Sequence, residues 1–512
     1  MVAASKAGIS YHRWTRSTEF RFLAHYRQSK PEIAAVPQMV VLILANAAEI
    51  DEISVTVASI RKAIRKPVIY CTTGGGDGVT VLPGDCLATR IQALAQVHAD
   101  SWILPILAGD QISESLVDAV ARSIGTDRAT FVYWDEDVLR AGHRCEPWVK
   151  PEWDPLLVAA LGGMVGASCV SFAALGDAAS RIPPSTPVDC DQFERLLLEV
   201  AAEHRPAHIP LVLTHRADRP ARTYAIAKSY PAEPPRWPSV SIIVPTRDKP
   251  RLLSACLQGV NRIDYPGRVE LIVVDNGSHD PRAVELLAGL EREGNAIVVR
   301  DDEEFNFARL NNLAARRATG EMLCLLNNDV EPLGNGHSWL KSLVTFANQA
   351  DVGAVGAQLL YPSGRIQHAG VAIGLGGAAG HVQKGVHPSE RRFWTWHAVT
   401  REVSAVTAAV LVVRRSTFVE VGGFDEEFAV AFNDVDFCLR LKQVGLRNIY
   451  VAEARLVHRE SESRGKDRSP DQARRFAKEL ARLQLRWGTE DYLDPHFSPL
   501  FSRLVERCVL AP

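Results

Sequence analysis

Asn327, Asn328 and Asp329 close the apolar run Met322-Leu323-Cys324-Leu325-Leu326, and Val330-Glu331 follow them. Two amides and a carboxylate beyond a buried strand are hard oxygen donors, and ligands of open α/β sheets sit in the crevice outside the carboxyl ends of the strands. The chemistry that fits is a divalent cation held together with a phosphate group. Asn and Asp also dominate turns, so the same decapeptide reads equally as a strand followed by a polar turn. A second acid, Asp275, ends Leu271-Ile272-Val273-Val274 and precedes Asn276-Gly277-Ser278. There it can accept hydrogen bonds from a base or a ribose, while the glycine lets backbone approach a ligand. D-N-G-S is a good turn in its own right, and Asp280-Pro281 is an ordinary cap and first-turn pair.

Such strand ends need whole α/β sheets behind them. A chain of 512 residues exceeds one ordinary core, and at roughly 100 to 200 residues per domain two to four domains are expected. Hydrophobic residues at 46% and charged residues at 23% describe a soluble globular protein. A net charge of -2 and a pI of about 6.7 give no reason to expect nucleic acid as a partner. Nine scattered cysteines without C-x-x-C read as reduced thiols of a cytoplasmic protein. The first twenty residues lack the apolar core of a signal peptide, so export is not expected. From Pro155 to Gly176 there is no Asp, Glu, Lys, Arg or His, over the length of a membrane span. Gly, Ser and Ala make that stretch only weakly apolar, which argues against a span and leaves peripheral association with a membrane-held substrate open.

The chain contains two copies of one pattern. Asp189-Cys190-Asp191-Gln192-Phe193-Glu194-Arg195-Leu196 matches Asp434-Val435-Asp436-Phe437-Cys438-Leu439-Arg440-Leu441, and further on the run ending at His215 matches the run ending at His458. Met39 to Leu44 and Val240 to Val244 are β-branched runs of the kind buried in parallel sheets. The strand at Trp102 to Leu107 leads to Gly109-Asp110 as the strand at Leu323 leads to Asn328-Asp329. The expected organisation is an N-terminal extension (1–38), a first α/β unit (39–219), a linker (220–237), a second unit (238–465) and a helical tail (466–512). The segment Pro231-Ala232-Glu233-Pro234-Pro235-Arg236-Trp237-Pro238 makes the linker stiff.

Eight motifs in order give the second unit a family likeness: VSIIVPTRD, ELIVVDNGS, FNFARLNNLAARRATGE, LCLLNNDVEP, IQHAG, TAAVLVVRRSTFVEVGGFDEEF, FNDVDFCLRLKQVGLRN and LVHRESESRG. Together they resemble glycosyltransferase family 2, in the bacterial branch that builds cell-envelope and O-antigen polysaccharides and includes rhamnosyltransferases. The resemblance implies a GT-A fold, tandem here and Rossmann-like with mainly parallel central sheets, using a nucleotide-diphosphate sugar and Mg²⁺ or Mn²⁺. It implies that Pro245, Thr246, Arg247, Asp275 and Asn276 hold the nucleotide, and that Asn327-Asn328-Asp329 replaces the family's D-x-D element. Asp329 is then the direct metal ligand and His458 completes the metal or diphosphate site. Asn327 in place of an acid removes one anionic contact. Asp434 matches the family's general base, and a single in-line attack inverts the anomeric centre.

Further assignments are less specific. Asp436 cannot share a helix face with Asp434 and is expected to support it, as a helix cap. Asn306 opens a helix whose N-terminus could face phosphate, or is only its cap. Arg464 could close over the diphosphate, or be a solvated arginine. Ala408 stands where relatives often have glycine, near the presumed acceptor pocket. The acceptor is expected to be a saccharide or lipid-linked saccharide, and the protein cytoplasmic or peripheral at the inner face of the membrane.

The first unit resembles the same family through Tyr133-Trp134-Asp135-Glu136-Asp137 and Val149-Lys150-Pro151-Glu152-Trp153-Asp154-Pro155. Thr72 stands opposite Asp275 and Gly109 opposite Asn328, so it is expected to be degenerate, although Asp110, Asp189 and His215 are retained. Three rivals compete. Gly374-Leu375-Gly376-Gly377 lacks the following helix pattern and the acid that an NAD site needs. A sugar nucleotidyltransferase would want more basic residues near its first strand than Arg247 and Lys249. A non-catalytic assembly protein is separated from an enzyme only by an activity measurement.

Overall fold

The computed structural model describes residues 10–35, 38–46, 49–74, 76, 78–82, 86–181, 183, 186, 189–217, 231–334, 336–390, 396–459 and 469–512. Its β-branched runs form two sheets. The first is built from β1 (Met39–Leu44), β2 (Val68–Cys71), β3 (Thr80–Val81), β4 (Trp102–Leu107), β5 (Gln111–Ile112), β6 (Phe131–Arg140), β7 (His143–Trp148), β8 (Ser168–Ser171) and β9 (Ala207–Ala217). Next come β10 (Val240–Thr246), β11 (Val269–Asp275), β12 (Ile297–Arg300), β13 (Met322–Leu326), β14 (Val330–Pro332), β15 (Val352–Leu360) and β16 (Ile366–His368). A small hairpin pairs β17 (Val371–Ile373) with β18 (Ala379–His381), and β19 (Arg401–Val403), β20 (Val410–Arg414) and β21 (Arg447–His458) complete the second sheet.

The strand orders are β3-β2-β1-β4-β8-β6-β9-β5 and β12-β11-β10-β13-β20-β15-β21-β14, which correspond strand for strand. The repeat read from two short motifs is therefore a repeat of topology. In each unit the first strand lies between parallel neighbours, β2 and β4 or β11 and β13. One strand then runs against its neighbours, β8 or β20, before a last parallel pair, β6 with β9 or β15 with β21. Every residue of β1, β4, β10 and β13 is buried, which is why these segments read as continuous apolar runs. Helices cover both faces of each sheet, giving two apolar clusters per unit.

The uncharged stretch from 155 to 176 divides into the helix Pro155–Leu161, a connection, β8 and the start of the helix Phe172–Arg181. No helix among the described residues is long and apolar enough to cross a membrane. All nine cysteines are free thiols.

A fifth apolar cluster joins the two units. Trp14, Val149, Leu157 and Val212 pack with Ala372, Trp396, Phe501 and Leu510. Beside it, Asp154 accepts the backbone N–H groups of Leu156 and Leu157 through one oxygen and that of Glu402 through the other. Burial, reinforced by the facing Glu402 carboxylate, raises the Asp154 carboxyl well above the usual carboxylate range, toward neutrality. The folded chain therefore holds a proton there that the unfolded chain has released, so stability falls as pH rises from the ordinary carboxylate range toward neutrality. The slope approaches about 1.4 kcal/mol per pH unit for one proton. Glu402→Gln, which removes the facing charge, is expected to flatten the fall in melting temperature between pH 5 and pH 8; an unchanged slope would show that the two acids are not coupled.

Candidate active site at the carboxyl ends of the second sheet

The parallel strands β10, β11 and β13 deliver their polar ends to one edge of the second sheet. β10 and β11 run in register through Thr246 and Asp275, and the Asn276 N–H donates to the Thr246 carbonyl at 2.8 Å. Asn328 Nδ2 donates to Thr246 Oγ1 at 2.9 Å, tying the exit of β13 to that of β10. Between these ends lies a cleft of about 350 Å³ lined by Pro245, Thr246, Arg247, Asp248, Lys249, Phe305, Phe307, Asn327 and Asn328, with Val430, Gln472 and Arg475. Five residues singled out by sequence, Pro245, Thr246, Arg247, Asn327 and Asn328, thus share one cavity.

The backbone is strained at this cleft. Lys249, which lines it, and Phe432, two residues beyond the cleft-lining Val430, adopt left-handed φ of 56° and 64°, which L residues other than Asn and Asp seldom do, while Asp248 takes the same region at 52° as an aspartate readily can. Asp248 is held by its own N–H, which donates to Ser278 Oγ, and by accepting the Asp280 and His279 N–H groups, which lower its pKa.

Asp275 is buried at the end of β11. One oxygen accepts the Ser278 N–H and the other the half-exposed Arg300 guanidinium, both at 3.0 Å. Asn276 donates to the carbonyls of Asp301 and Glu303, stapling the neighbouring loop. Asn306 is the N-cap of the helix Phe307–Ala315: its Oδ1 accepts the Arg309 N–H, and its Nδ2 donates to the Glu426 carbonyl. The capping alternative is what the geometry displays.

The short strand β14 pairs antiparallel with β21, setting Val330 opposite His458, so Asp329 meets His458 across the ladder. Asp329 Oδ1 lies 3.1 Å from His458 Nε2, and Asn327 Nδ2 lies 3.4 Å from the same nitrogen. His458 Nδ1 lies 2.8 Å from Gln367 Oε1, an acceptor that orients the ring so that Nε2 faces Asp329. Gln367 belongs to the IQHAG run, and sequence reasoning noted that motif without assigning this role. No three His, Cys, Asp or Glu side chains converge as a metal cage among the described residues. Asp329 and His458 supply two donors, a number that suits a cation whose remaining ligands are phosphate oxygens and water.

Asp434 lies in the first turn of the helix Asn433–Gln443 and is not among the residues that line the cleft, the nearest of which in sequence is Val430. Its oxygens accept the N–H groups of Ala408 at 3.0 Å and Val435 at 2.9 Å. Asp436 is not the helix cap that was expected; that position is Phe432. Asp436 is instead fully buried and accepts Arg440 Nε, Arg486 Nη1 and Trp487 Nε1 at 2.8 to 3.0 Å, locking this helix to the C-terminal helix Pro470–Trp487. Asp436→Asn is expected to cost about 2 to 3 kcal/mol, since it strips the charge facing two guanidiniums that are themselves partly solvated. Urea unfolding checks this, and an unchanged midpoint would remove the lock. Arg464 lies outside the described residues.

In the first unit each retained acid or histidine has a structural partner. Asp110 Oδ1 accepts the Ala217 N–H, His215 Nδ1 pairs with Asp137 at 2.7 Å, and Asp189 caps the helix Cys190–Glu203. Glu52 approaches so closely that a Cβ at Gly109 would stand 2.7 Å from its Oε2. Where β11 ends in Asp275, β2 ends in Cys71, and the following Thr72 hydroxyl donates to the Ala45 carbonyl.

Comparison with known proteins gives this arrangement a family. Residues 241–401 match the model of glycosyl transferase family 2. Uncharacterized protein y4gI of Sinorhizobium fredii is 35% identical over 421 residues, covering 72% of this chain and 45% of its own length. O-antigen biosynthesis protein RfbC of Myxococcus xanthus is 32% identical over 430 residues, covering 76% of this chain and 33% of its own. Both matches are longer than everything C-terminal to the linker, so they run into the first unit, yet the chain spans less than half the length of these curated relatives. An N-acetylglucosaminyl-diphospho-decaprenol L-rhamnosyltransferase of Mycobacterium tuberculosis is 40% identical over 67 residues, 13% of this chain and 22% of that one. Among solved structures, a mannosyltransferase of Pyrobaculum calidifontis in complex with GDP-Man and Mn²⁺ is similar over 52% of this chain and 69% of that one, at 21% identity and a TM-score of 0.38. The second of the two like-built units therefore contains a glycosyl transferase family 2 domain.

Proposed function

We propose that the second unit transfers a sugar from a nucleoside-diphosphate sugar to a saccharide or lipid-linked saccharide acceptor, with inversion, in cell-envelope polysaccharide synthesis. The observation that carries this reading is the pair Asp329 and His458, 3.1 Å apart at the exit of β13, with the His458 ring oriented by Gln367. Relatives named for O-antigen biosynthesis and for rhamnosyl transfer to a diphospho-decaprenol-linked sugar support the acceptor class. A membrane-linked acceptor would place the protein at the inner face of the membrane without requiring a span.

Asp329 and His458 would hold a divalent cation, Mg²⁺ or Mn²⁺, which when bound neutralises the charge developing on the leaving diphosphate. The chain's own residues do the rest. Thr246, Arg247, Asn327 and Asn328 line the space for the nucleotide diphosphate, and Asp275 with Asn276 forms the adjoining strand end where its ribose or base would rest. Asp434 accepts the proton of the attacking hydroxyl; a carboxylate that takes two backbone N–H groups still has lone pairs for a third partner. The new bond joins the acceptor oxygen to the anomeric carbon as the bond from that carbon to phosphate breaks, and the nucleoside diphosphate leaves on the opposite face.

Thermal shift against a panel of nucleotide sugars, with Mn²⁺, Mg²⁺ or chelator, tests the reading. Ligand at a hundred times its dissociation constant stabilises by about 2.7 kcal/mol, and the expected result is a rise in melting temperature for one donor class only when metal is present. No shift with any donor would overturn it.

The first unit is proposed to be a degenerate copy that serves as a packing partner, because β2 ends in Cys71 where β11 ends in Asp275, and Gly109 stands where the second unit has Asn328. Asp110→Ala and Asp189→Ala are expected to leave transfer within about threefold of wild type, each costing stability of the order of 1 kcal/mol for a lost cap or hydrogen bond. Loss of transfer in either variant while folded would assign chemistry to this unit.

A further inference from the structure

The cleft has a wall that lies beyond the residues matched by the family model. Gln472 and Arg475 of the C-terminal helix line it together with Arg247 and Lys249. Farther along the same helix, the buried Glu479 accepts the Val430 N–H at 3.0 Å and the Ala431 N–H at 2.9 Å. Val430 itself lines the cleft, and Asn433 Nδ2 donates to its carbonyl, so Glu479 fixes the loop that leads into Asn433 and Asp434. A turn or two later Arg486 and Trp487 reach Asp436 on the Asp434-bearing helix, and Arg486 also meets Asp425 at 2.8 Å. Residues 472, 475, 479, 483 and 486 recur at helical spacing, and Leu483 among them is fully buried. One face of one helix thus touches the cleft, the loop before the 433–443 helix and that helix itself.

Charge gives the cleft end of this face a partner. Arg247, Lys249 and Arg475 bring three cationic side chains to a cavity whose other polar lining is amide and hydroxyl apart from the Asp248 carboxylate, one oxygen of which accepts the His279 and Asp280 N–H groups, and the half-buried Arg475 guanidinium can bridge phosphate oxygens in a bidentate way. We propose that the C-terminal helix is the second wall of the nucleotide-diphosphate site, with Arg475 contacting phosphate while Glu479, Arg486 and Trp487 anchor the same helix to the segment that presents Asp434. This rests on the functional reading above and adds to it a donor-binding residue and a physical tie between donor site and base.

The test uses the full chain and calorimetry with UDP, GDP and dTDP, each in Mn²⁺, carried forward with whichever nucleotide the wild type binds. Arg475→Ala is expected to weaken that nucleotide about tenfold and to raise the donor KM more than it lowers kcat, with the ligand-free melting temperature within 2 °C of wild type. Arg475→Lys, which restores a point charge, should recover part of the affinity. Wild-type affinity in Arg475→Ala overturns the proposal. So does an equal loss in Arg475→Ala and Arg475→Lys accompanied by a lowered ligand-free melting temperature, which would make the residue structural. Asp329→Ala serves as the control: if it loses metal-dependent binding while Arg475→Ala does not, only the wall is wrong; if Asp329→Ala binds like wild type, the functional reading itself fails.

Discussion

Asp329→Ala is expected to abolish the metal-dependent part of nucleoside diphosphate binding and to reduce sugar transfer by about 10³-fold or more, because several kcal/mol of charge stabilisation at the leaving group disappear at 1.36 kcal/mol per tenfold in rate. Asp329 is nearly fully buried, and its carbonyl also accepts the Arg459 N–H at 3.0 Å, so the backbone that presents the carboxylate is held by β21 and should survive the substitution. His458→Ala should act in the same direction but less, since it removes a neutral ligand and leaves the anionic one. Gln367→Ala, which frees the His458 ring without touching the ligand itself, should weaken metal affinity about 10- to 100-fold, as loss of an outer-shell partner does. Titration with Mn²⁺ at fixed nucleotide separates the three. Equal nucleotide affinity in wild type and Asp329→Ala, with or without chelator, would remove the metal from this site.

The order of these effects depends on a strand pairing that periodicity could not reveal. The apolar runs at β1, β4, β10 and β13 were legible because both faces of each strand are buried, which leaves an unbroken hydrophobic string. The polar residues that follow them were legible for the same reason, as abrupt ends to those strings. By contrast, β14 is three residues long, and its pairing with β21 joins Asn327 and His458 at a separation of 131 positions. His458 was placed at the site only through its resemblance to relatives, and the ladder supplies the physical reason.

Misreadings came where one residue type has two local uses. Asp436 sits in the first turn of its helix, where acids commonly cap or complement the dipole, and only the tertiary structure shows its oxygens taken by Arg440, Arg486 and Trp487. Asn306 does cap its helix through the Arg309 N–H, a bond that accords with both readings of the residue, since its neighbours Phe305 and Phe307 line the cleft. Gln472 and Arg475 were passed over because an amphipathic helix announces that it has a buried face but not what that face meets. The first unit shows the converse: its strand order copies the second, while Asp110, Asp189 and His215 were retained in places where backbone N–H groups or Asp137 now employ them. The shared topology rests on apolar patterning, whereas the two units differ in a few strand-end side chains: β2 ends in Cys71 where β11 ends in Asp275, and Gly109 stands where the second unit has Asn328.

Asp434→Asn is the complementary case, in which chemistry should fail while binding persists. The side chain lies in the first turn of the Asn433–Gln443 helix, its Oδ2 accepting the Ala408 N–H next to the strand β20. An asparagine can keep that bond through its carbonyl oxygen and preserve the shape of the turn, but it cannot take a proton from the acceptor hydroxyl. A positioned base contributes about 10² to 10⁴-fold, so kcat is expected to fall by that order while nucleotide affinity stays within twofold. Asp436→Asn provides the contrast, because its loss should appear in the unfolding midpoint and leave the turnover of the folded fraction near wild type. The pair separates two acids only two residues apart. Near-normal turnover in Asp434→Asn, beside a folded but inactive Asp436→Asn, would move the base to Asp436. That would require Arg486 and Trp487 to release a carboxylate they now hold at 2.8 and 3.0 Å, so the same experiment tests whether the C-terminal helix restrains the 433–443 helix or lets it move during the reaction.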